Sequence, residues 1–453
     1  MLVPKISKAL LLGISLVPAG MAAAQYVTGK GNDATMPLHL MKPDYDIPYG
    51  ETTPGKVKQV LDRVYHYLDA VTPMQLVNKQ TETDVALAKA GENAILKKGD
   101  FRLTSYEWGV TYTGMLEASA ATGDKRYAQY TIDRVNFLGN VVKHYQSLLV
   151  KNPGMVSPVR SVMDPHALDD AGALCASMIK AIKAGANAGL VRPMADNFIN
   201  YIMNKEFRLT DGTLARNRPL PNTLWLDDLY MSLPALSQMG TLTGDSKYFD
   251  EVVKQYKLFA GRMFNHNNGL YMHGWVQDME PHPQFHWARA NGWAMMTKVE
   301  ILDVLPPSHP GRAEVMEMLK KHAAGLARLQ DKTGFWHQLL DKNDSYLETS
   351  ATAIYAYCIA RAINKGWLDP KAYGPMAILA WNAVASKVTA EGQVEGTCVG
   401  TGMGFDPAFY YYRPVNNFAA HGYGPVLLAG AEIYRLLQKH PFEINDSAVQ
   451  MPG

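Results

Sequence analysis

Apolar residues along this chain recur at three- and four-residue intervals in one run after another, the mark of amphipathic or buried helices. The spacing predicts helices over 56–70, 105–121, 125–149, 169–184, 193–204, 224–239, 246–264, 288–304, 312–330, 347–364, 371–386 and 423–439. No comparable series of alternating apolar and polar positions announces a sheet. The pattern therefore reads as an all-α protein of about twelve helices.

The junctions between helices repeat. Thr122-Gly123-Asp124-Lys125-Arg126-Tyr127 reappears as Thr243-Gly244-Asp245-Ser246-Lys247-Tyr248, and more loosely as the segment from Lys365 and Gly366 through Asp369 to Tyr373. In each, a glycine ends one helix, an aspartate caps the next, and a tyrosine follows on its first turns. The three tyrosines lie 121 and 125 positions apart, or two units of roughly sixty residues each, where one unit is a helix hairpin. A polar series keeps the same beat near the start of alternate helices: Glu107, Asp169, Asp227, Arg289, Glu348 and His421, separated by 62, 58, 62, 59 and 73 residues. Six stacked hairpins would bring these positions to one end. An inner ring of six helices wrapped by six others is an (α/α)6 barrel of six helix hairpins. An open superhelix of helix pairs is the alternative, and the period alone does not close the ring.

Composition narrows the class. Of 453 residues, 47% are apolar, which allows a large core, and the formal net charge is +2, so no strong field points to nucleic acid. Lys5 and Lys8 precede an apolar run over 9–17, too short to span a bilayer, and Ala22-Ala23-Ala24 before Gln25 fits a cleavage site. The expectation is a signal peptide over 1–24, an N-terminal extension over 25–54, the barrel over 55–440 and a tail over 441–453. The mature protein is then exported, to the periplasm or beyond, and has no membrane segment, since no later run of eighteen apolar residues occurs. Cys175, Cys358 and Cys398 are too few and too scattered for a disulfide framework or a zinc site and read as small buried hydrophobes. No motif points to a metal or another cofactor. The segment from Asp341 lacks the glycine of a calcium loop, and Gly400-Thr401-Gly402-Met403-Gly404 leads into no phosphate-binding helix.

Candidate chemistry sits at the polar helix starts. In Trp225-Leu226-Asp227-Asp228-Leu229-Tyr230-Met231 two adjacent carboxylates interrupt an apolar run. Asn222 or Thr223 is a natural N-cap, which would put both aspartates in the first or second turn of the helix predicted over 224–239. Helix neighbours point about 100° apart, so only one of them can face the mouth of a barrel. Asp169 and Asp170 open another inner helix, and Gly172 just beyond permits close approach of backbone or substrate. Both pairs could simply complement helix dipoles. Two carboxylates in one cleft instead push one of them toward its protonated form, and a positioned acid contributes about 10²–10⁴ in rate. Arg289 and Trp293 lie four apart on one helix face, beside Trp287, and suit a carboxylate and a flat sugar ring. His273-Gly274-Trp275, Trp225 and the His421 segment add aromatic and polar groups. The bland alternative is that the tryptophans are core and that Arg289 answers a structural acid.

In order along the chain, WLDDLYM, HGW, WARANGW, GFWHQLLD, SYLETSATA and HGYGPVLLAG resemble the unsaturated rhamnogalacturonyl hydrolases, glycoside hydrolase family 105, which are related to the unsaturated glucuronyl hydrolases. The resemblance runs from about residue 55 to 440. It implies an (α/α)6 barrel and, as substrate, an oligosaccharide ending in a 4,5-unsaturated uronic acid, here expected to derive from rhamnogalacturonan or pectin. It also implies hydration of the C4=C5 bond in place of ordinary glycoside cleavage. The acid/base position of the resemblance is Asp227. The partner carboxylate falls on Asp169 or Asp170, with Asp169 preferred. Arg289, Trp293 and His273 match positions that bind the unsaturated sugar, while Trp225, Trp287 and His421 line the same mouth. Asp228 departs from the family pattern, which usually has a small residue there. A sugar-binding exported protein, and a lyase or epimerase on the same barrel, are the competing classes. The adjacent sugar, its linkage and the oligomeric state are not written in the sequence.

Overall fold

The computed structural model describes residues 50–279, 281–445 and 448–451, together with Ala34 and Pro48. The expected signal segment 1–24 and most of the expected extension lie outside the described residues. Helices run in the order α1 (Pro54–Val71), α2 (Tyr106–Thr122), α3 (Lys125–Lys151), α4 (Arg160–Met163), α5 (Leu168–Lys183), α6 (Ala188–Asn204), α7 (Leu233–Thr243), α8 (Ser246–Met263), α9 (Ala288–Val304), α10 (Arg312–Ala327), α11 (Thr349–Asn364), α12 (Pro370–Ala385), α13 (Pro407–Tyr411) and α14 (Tyr423–Lys439).

Six of them close a ring. Helix α2 packs on α5, α5 on α7, α7 on α9, α9 on α11, α11 on α14, and α14 back on α2. The outer helices α1, α3, α6, α8, α10 and α12 lie against them. The chain is an (α/α)6 barrel. Burial follows the two roles. In α9 every residue from Ala288 to Leu302 is buried, whereas α1 buries only the stripe Val57, Val60, Leu61, Val64 and Leu68. The repeated junctions do what their residues predict. Gly123, Gly244 and Gly366 all take positive φ, the left-handed turn that an L side chain resists. Asp124, Asp245 and Asp369 each accept from the backbone N–H two residues on, capping α3, α8 and α12. Cys175, Cys358 and Cys398 are free and buried. No helix among the described residues is long and apolar enough to cross a membrane.

One element differs from the periodicity. The helix predicted over 224–239 begins only at Leu233. Thr223–Trp225 is instead a short strand, paired antiparallel with Gly274–Val276 so that Trp225 faces Gly274, and Leu226–Leu229 is a single 3-10 turn. Pro234 explains the break: it has no N–H to donate into a preceding turn and disfavours helical geometry just before it. Asn222 and Thr223 therefore cap nothing, and Asp227 and Asp228 lie on a tight turn between strand and helix. Short antiparallel ladders of this kind occur five times among the described residues, four between helices and the fifth after α14.

Candidate active site

The 3-10 turn is held from three sides. Leu226 N–H donates to the carbonyl of His273 at 2.9 Å. Tyr230 and Met231 N–H both donate to the Asp227 carbonyl, at 2.9 and 3.0 Å. Helix α5 presses from below at Gly172, where an added Cβ would run into the Met231 backbone. This is the close approach that a glycine beside the aspartate pair foretold, and the object approached is backbone.

On that turn the two aspartates part company. Asp227 keeps 14% of its side chain exposed, and its Oδ2 lies 3.1 Å from His273 Nε2. His273 is itself buried, and its Nδ1 lies 2.8 Å from the Tyr410 hydroxyl. That hydroxyl is also within reach of Gly404 N–H and the Gly404 carbonyl, at 3.2 and 3.3 Å. With Tyr410 donating to Nδ1, His273 Nε2–H donates to Asp227 Oδ2, and Oδ1 takes no hydrogen bond among the described residues. Asp228 is fully buried and faces the other way, onto Arg216. Arg216 Nε donates to both Asp228 oxygens, at 3.0 and 2.8 Å, and Nη2 donates to Oδ1.

Arg216 also reaches Asp169, Nη1 to Oδ2 and Nη2 to Oδ1, both at 3.0 Å. Asp170 takes no part. Its Oδ2 accepts from His166 N–H at 2.9 Å and so serves the entrance of α5. The guanidinium lies 4.4 Å over the half-buried ring of Trp225, with Arg218 on the same ring at 5.0 Å. Burial alone would weaken the arginine's charge, but the two carboxylates raise its pKa well above the ordinary value. Burial pushes the Asp228 carboxyl upward, against the charge and hydrogen bonds of Arg216.

The other predicted residues are more deeply set. Arg289, 1% exposed, donates to the carbonyls of Cys398 and Val399 at 2.7 and 2.8 Å and to Ser350 Oγ at 3.2 Å, and it stacks on Trp287 at 4.6 Å. Its guanidinium lies 3.9 Å from Glu348, whose carboxylate caps α11. Trp287 is buried against His273, with centroids 4.6 Å apart, and Trp293 is buried in a stack with Tyr230 at 5.1 Å. His421 Nε2 lies 2.5 Å from the Tyr106 hydroxyl and 3.5 Å from Glu107. Burial, and then the charge of Arg289, keep its pKa well below the usual imidazole value, so the ring is neutral. Tyr106 ties the mouth together. Burial first, then the charges of Glu107, Asp169 and Asp227, push its phenol upward, and Arg289 offsets them. Beside it opens a cavity of about 300 Å³ bounded by Arg102, Glu107, Gly400, Phe418 and His421. The segment from Gly400 to Gly404 closes over the turn: Gly402 borders Trp225, and the Met403 side chain packs on Gly274 where any Cβ would have to displace it. Among the described residues no group of three His, Cys, Asp or Glu side chains is placed to hold a metal ion.

Sequence patterns had not singled out Arg216 or Tyr106. Arg216 and Arg218 stand in an irregular stretch without periodicity. The available clue was chemical: a buried aspartate next to Asp227 requires a cation, and these arginines are the nearest upstream.

A closed ring of helix hairpins whose mouth gathers carboxylates, imidazole and half-buried indole is the frame of a glycoside hydrolase. Residues 72–437 match the family model described as Glycosyl Hydrolase Family 88, and the chain belongs to that family. It is 27% identical over 247 residues to an unsaturated rhamnogalacturonyl hydrolase, YesR of Bacillus subtilis, an alignment covering 53% of this chain and 70% of the relative. It is 30% identical to an unsaturated 3S-rhamnoglycuronyl hydrolase of Alteromonas sp. strain LOR, over 46% of this chain and half of that protein. A solved structure from Salmonella enterica serovar Paratyphi A, described as a possible member of the GH105 family, superposes with a TM-score of 0.68 at 23% identity. It covers 87% of this chain and 97% of the other, and the likeness is one of fold.

Proposed function

We propose that this enzyme removes a terminal 4,5-unsaturated uronic acid from oligosaccharides left by polysaccharide lyases, by hydrating the C4=C5 bond. The observation that carries the proposal is the pairing of Asp227 with His273, which leaves the other carboxyl oxygen without a partner among the described residues, in the same charged cluster as the Arg216-held Asp169. In the acid form, Asp227 Oδ1 gives its proton to C4. Positive charge develops at C5 and the ring oxygen. The carboxylate left behind accepts the His273 Nε2 hydrogen bond, which strengthens as its charge appears. Water adds at C5 and returns a proton to Asp227. The product is a hemiketal. It opens by breaking the bond from C5 to the ring oxygen, leaving a ketone at C5 and a hemiacetal at C1 that releases the remaining saccharide. One acid/base group suffices, so the carboxylate-separation rule for retaining and inverting glycosidases has no purchase here.

Both curated relatives are named for a uronyl unit joined to a rhamnose unit, which supports rhamnose as the adjacent sugar and rhamnogalacturonan fragments of pectin as the source. The basic and apolar N-terminal residues support export. Trp225, half-buried under two arginines, offers a ring face at the site. The test is the ultraviolet absorbance of the conjugated enol ether in an unsaturated rhamnogalacturonan disaccharide. Hydration bleaches it, a lyase acting on intact polymer raises it, and a sugar-binding protein leaves it unchanged. Asp227→Asn keeps the shape but holds no transferable proton, so bleaching should stop while the melting curve stays near that of the wild type. Bleaching at the wild-type rate in this variant would refute the assignment.

A further inference from the structure

Asp228 has a full set of hydrogen bonds, no exposure and no path to a substrate. Its partner Arg216 is 6% exposed, and Asp169, on the far side of Arg216, has 32% of its side chain exposed. The three groups form a line from the dry interior to the mouth. The open end of the guanidinium fork grips Asp169 through two parallel bonds, and its side edge, Nε and Nη2, grips Asp228. Trp225 covers the flat face. Arg216 enters from a backbone pairing with Thr223, Arg216 N to Thr223 O at 2.7 Å and the reverse at 2.8 Å. The arginine, the covering indole and the Asp227 turn therefore share one short hairpin. Ser232 Oγ donates to the Asp228 carbonyl at 2.6 Å and fixes the turn from its other end.

From this arrangement we propose that Asp228 is a positioning residue, which anchors Arg216 so that the arginine's fork aims Asp169 at the substrate. The inference rests on the hydrating activity proposed above. The two N–H groups facing Asp228, Nε–H shared between both oxygens and Nη2–H on Oδ1, each require a lone pair, and a proton placed in their path would meet an N–H, so the carboxylate form is the one that the geometry accepts. A fork held at one edge has a single orientation to offer at its open end. Freed from Asp228, a long arginine chain regains its rotamers, and Asp169 loses both its aim and its counter-charge. A lysine at position 216 would place one point charge between two carboxylates and could grip neither in two-point fashion. Asp228 thus reaches the reaction through Arg216 and Asp169, without touching the sugar.

The test is a double-mutant comparison on the unsaturated disaccharide, with kcat and KM measured across pH for Asp228→Asn, Asp169→Asn and the two together. Asp228→Asn should lower kcat about 10²-fold with KM within about threefold, the scale expected when a reacting group is misplaced by an ångström. Its pH–rate profile should shift in the same direction as that of Asp169→Asn. The double variant should be no worse than Asp169→Asn alone, within about threefold, because both changes break one line of action. Arg216→Lys alone should show a loss of the same order, since a lysine cannot hold both carboxylates in two-point fashion. Full kcat in Asp228→Asn, or a double variant that loses the product of the two single losses, would overturn the proposal. If Asp228→Asn fails to fold, Asp228→Leu with Arg216→Met removes the pair without stranding a buried charge. That protein should show the Asp169→Asn loss, and wild-type kcat in it would be equally fatal. If the wild-type enzyme bleaches no unsaturated uronide, the functional reading fails. A crystal structure of Asp228→Asn then decides the positioning claim by itself: Arg216 should leave Asp169, and an unmoved two-point grip would overturn it.

Discussion

Gly172→Ala tests how the fold sets the distance between the two carboxylates. Gly172 sits on α5 three residues after Asp169, and it abuts the backbone just after the Asp227 turn. A Cβ at this position would lie 2.8 Å from Met231 Cα and closer still to the Met231 carbonyl carbon and oxygen. All three are main-chain atoms, so no rotamer change relieves the clash. Clearing the carbonyl requires a separation of α5 and the turn on the order of 1 Å, and Met231 is tied to Asp227 by the bond from Met231 N–H to the Asp227 carbonyl. The methyl group therefore moves Asp227 relative to Asp169. Overpacking of this kind destabilises by about 1–3 kcal/mol, and a 1 Å misplacement of reacting groups costs about 10²-fold in rate. Bleaching of the unsaturated disaccharide and urea denaturation should both report the change. Gly261→Ala is the control. That glycine is on outer helix α8 with nothing within 4 Å of an added Cβ, so it should gain about 0.5–1 kcal/mol at an unchanged rate. Gly172→Ala within threefold of the wild-type rate, with an unchanged urea midpoint, would show that the spacing of α5 and the turn does not govern the reaction.

Two further outcomes follow from buried charge. Arg289→Ala should lower stability by about 3–5 kcal/mol in urea, because it leaves Glu348 buried without its neighbouring cation and frees the carbonyls of Cys398 and Val399. A rise in KM for the uronide with no loss of stability would instead make Arg289 purely a substrate ligand. Glu206 lies in the wall of a cavity of about 320 Å³ behind Arg216, with one carboxyl oxygen unpartnered, and burial raises its pKa to about 7 against the Tyr201 hydrogen bond. Between pH 4.5 and 7 the folded protein holds a proton at Glu206 that the unfolded chain has lost, so this group makes stability fall as pH rises through that window. Glu206→Gln should therefore be the more stable protein at pH 8, by roughly 1–2 kcal/mol once solvent screening is allowed for. Its advantage over wild type should shrink as pH drops to 4.5, and an advantage that grew toward acid pH would refute the sign.

The ring of hairpins was legible because its signals are local and repeat. Gly123, Gly244 and Gly366 need a left-handed turn wherever they fall, and the aspartates after them cap whatever helix follows. Closure of the ring was not legible, since it depends on α14 packing against α2 across some three hundred residues. The start of α7 was misread for a physical reason. The apolar spacing from Leu224 onward suits a helix, yet Leu224 and Trp225 spend their backbone groups on a strand pairing, and Pro234 refuses the helix a continuous run. The site residues that sequence missed share one property. Arg216 and Tyr106 act through partners 47 and 315 positions away, and no spacing rule joins such pairs.

The polar series with a period near sixty contains a deeper regularity than its own spacing shows. Its six members meet in the folded chain through a string of contacts. His421 lies against Glu107, and Arg289 against Glu348, while the charges of Glu107, Asp169, Asp227 and Arg289 are all felt at the Tyr106 phenol. Equivalent ends of inner helices or the turns leading into them thus supply one polar girdle, as a barrel of hairpins must if its polar starts face one way. Exposure then divides the six. Glu348, Arg289 and His421 are sealed at 0%, 1% and 4%, whereas Glu107, Asp227 and Asp169 keep 13%, 14% and 32% of their side chains open. Of the sealed members, Arg289 satisfies backbone carbonyls beside Glu348, which caps α11, while His421 turns its Nε2 to Tyr106 and Glu107. The open ones are carboxylates, and of these Asp227 has a buried imidazole behind it and Asp169 a buried guanidinium. An acid that must lose and regain a proton needs a partner that stabilises its anion without leaving that anion permanently neutralised, and a hydrogen-bonding imidazole N–H suits this better than a permanent guanidinium cation. On the function proposed above, that contrast gives the proton transfer to Asp227 and the supporting role to Asp169.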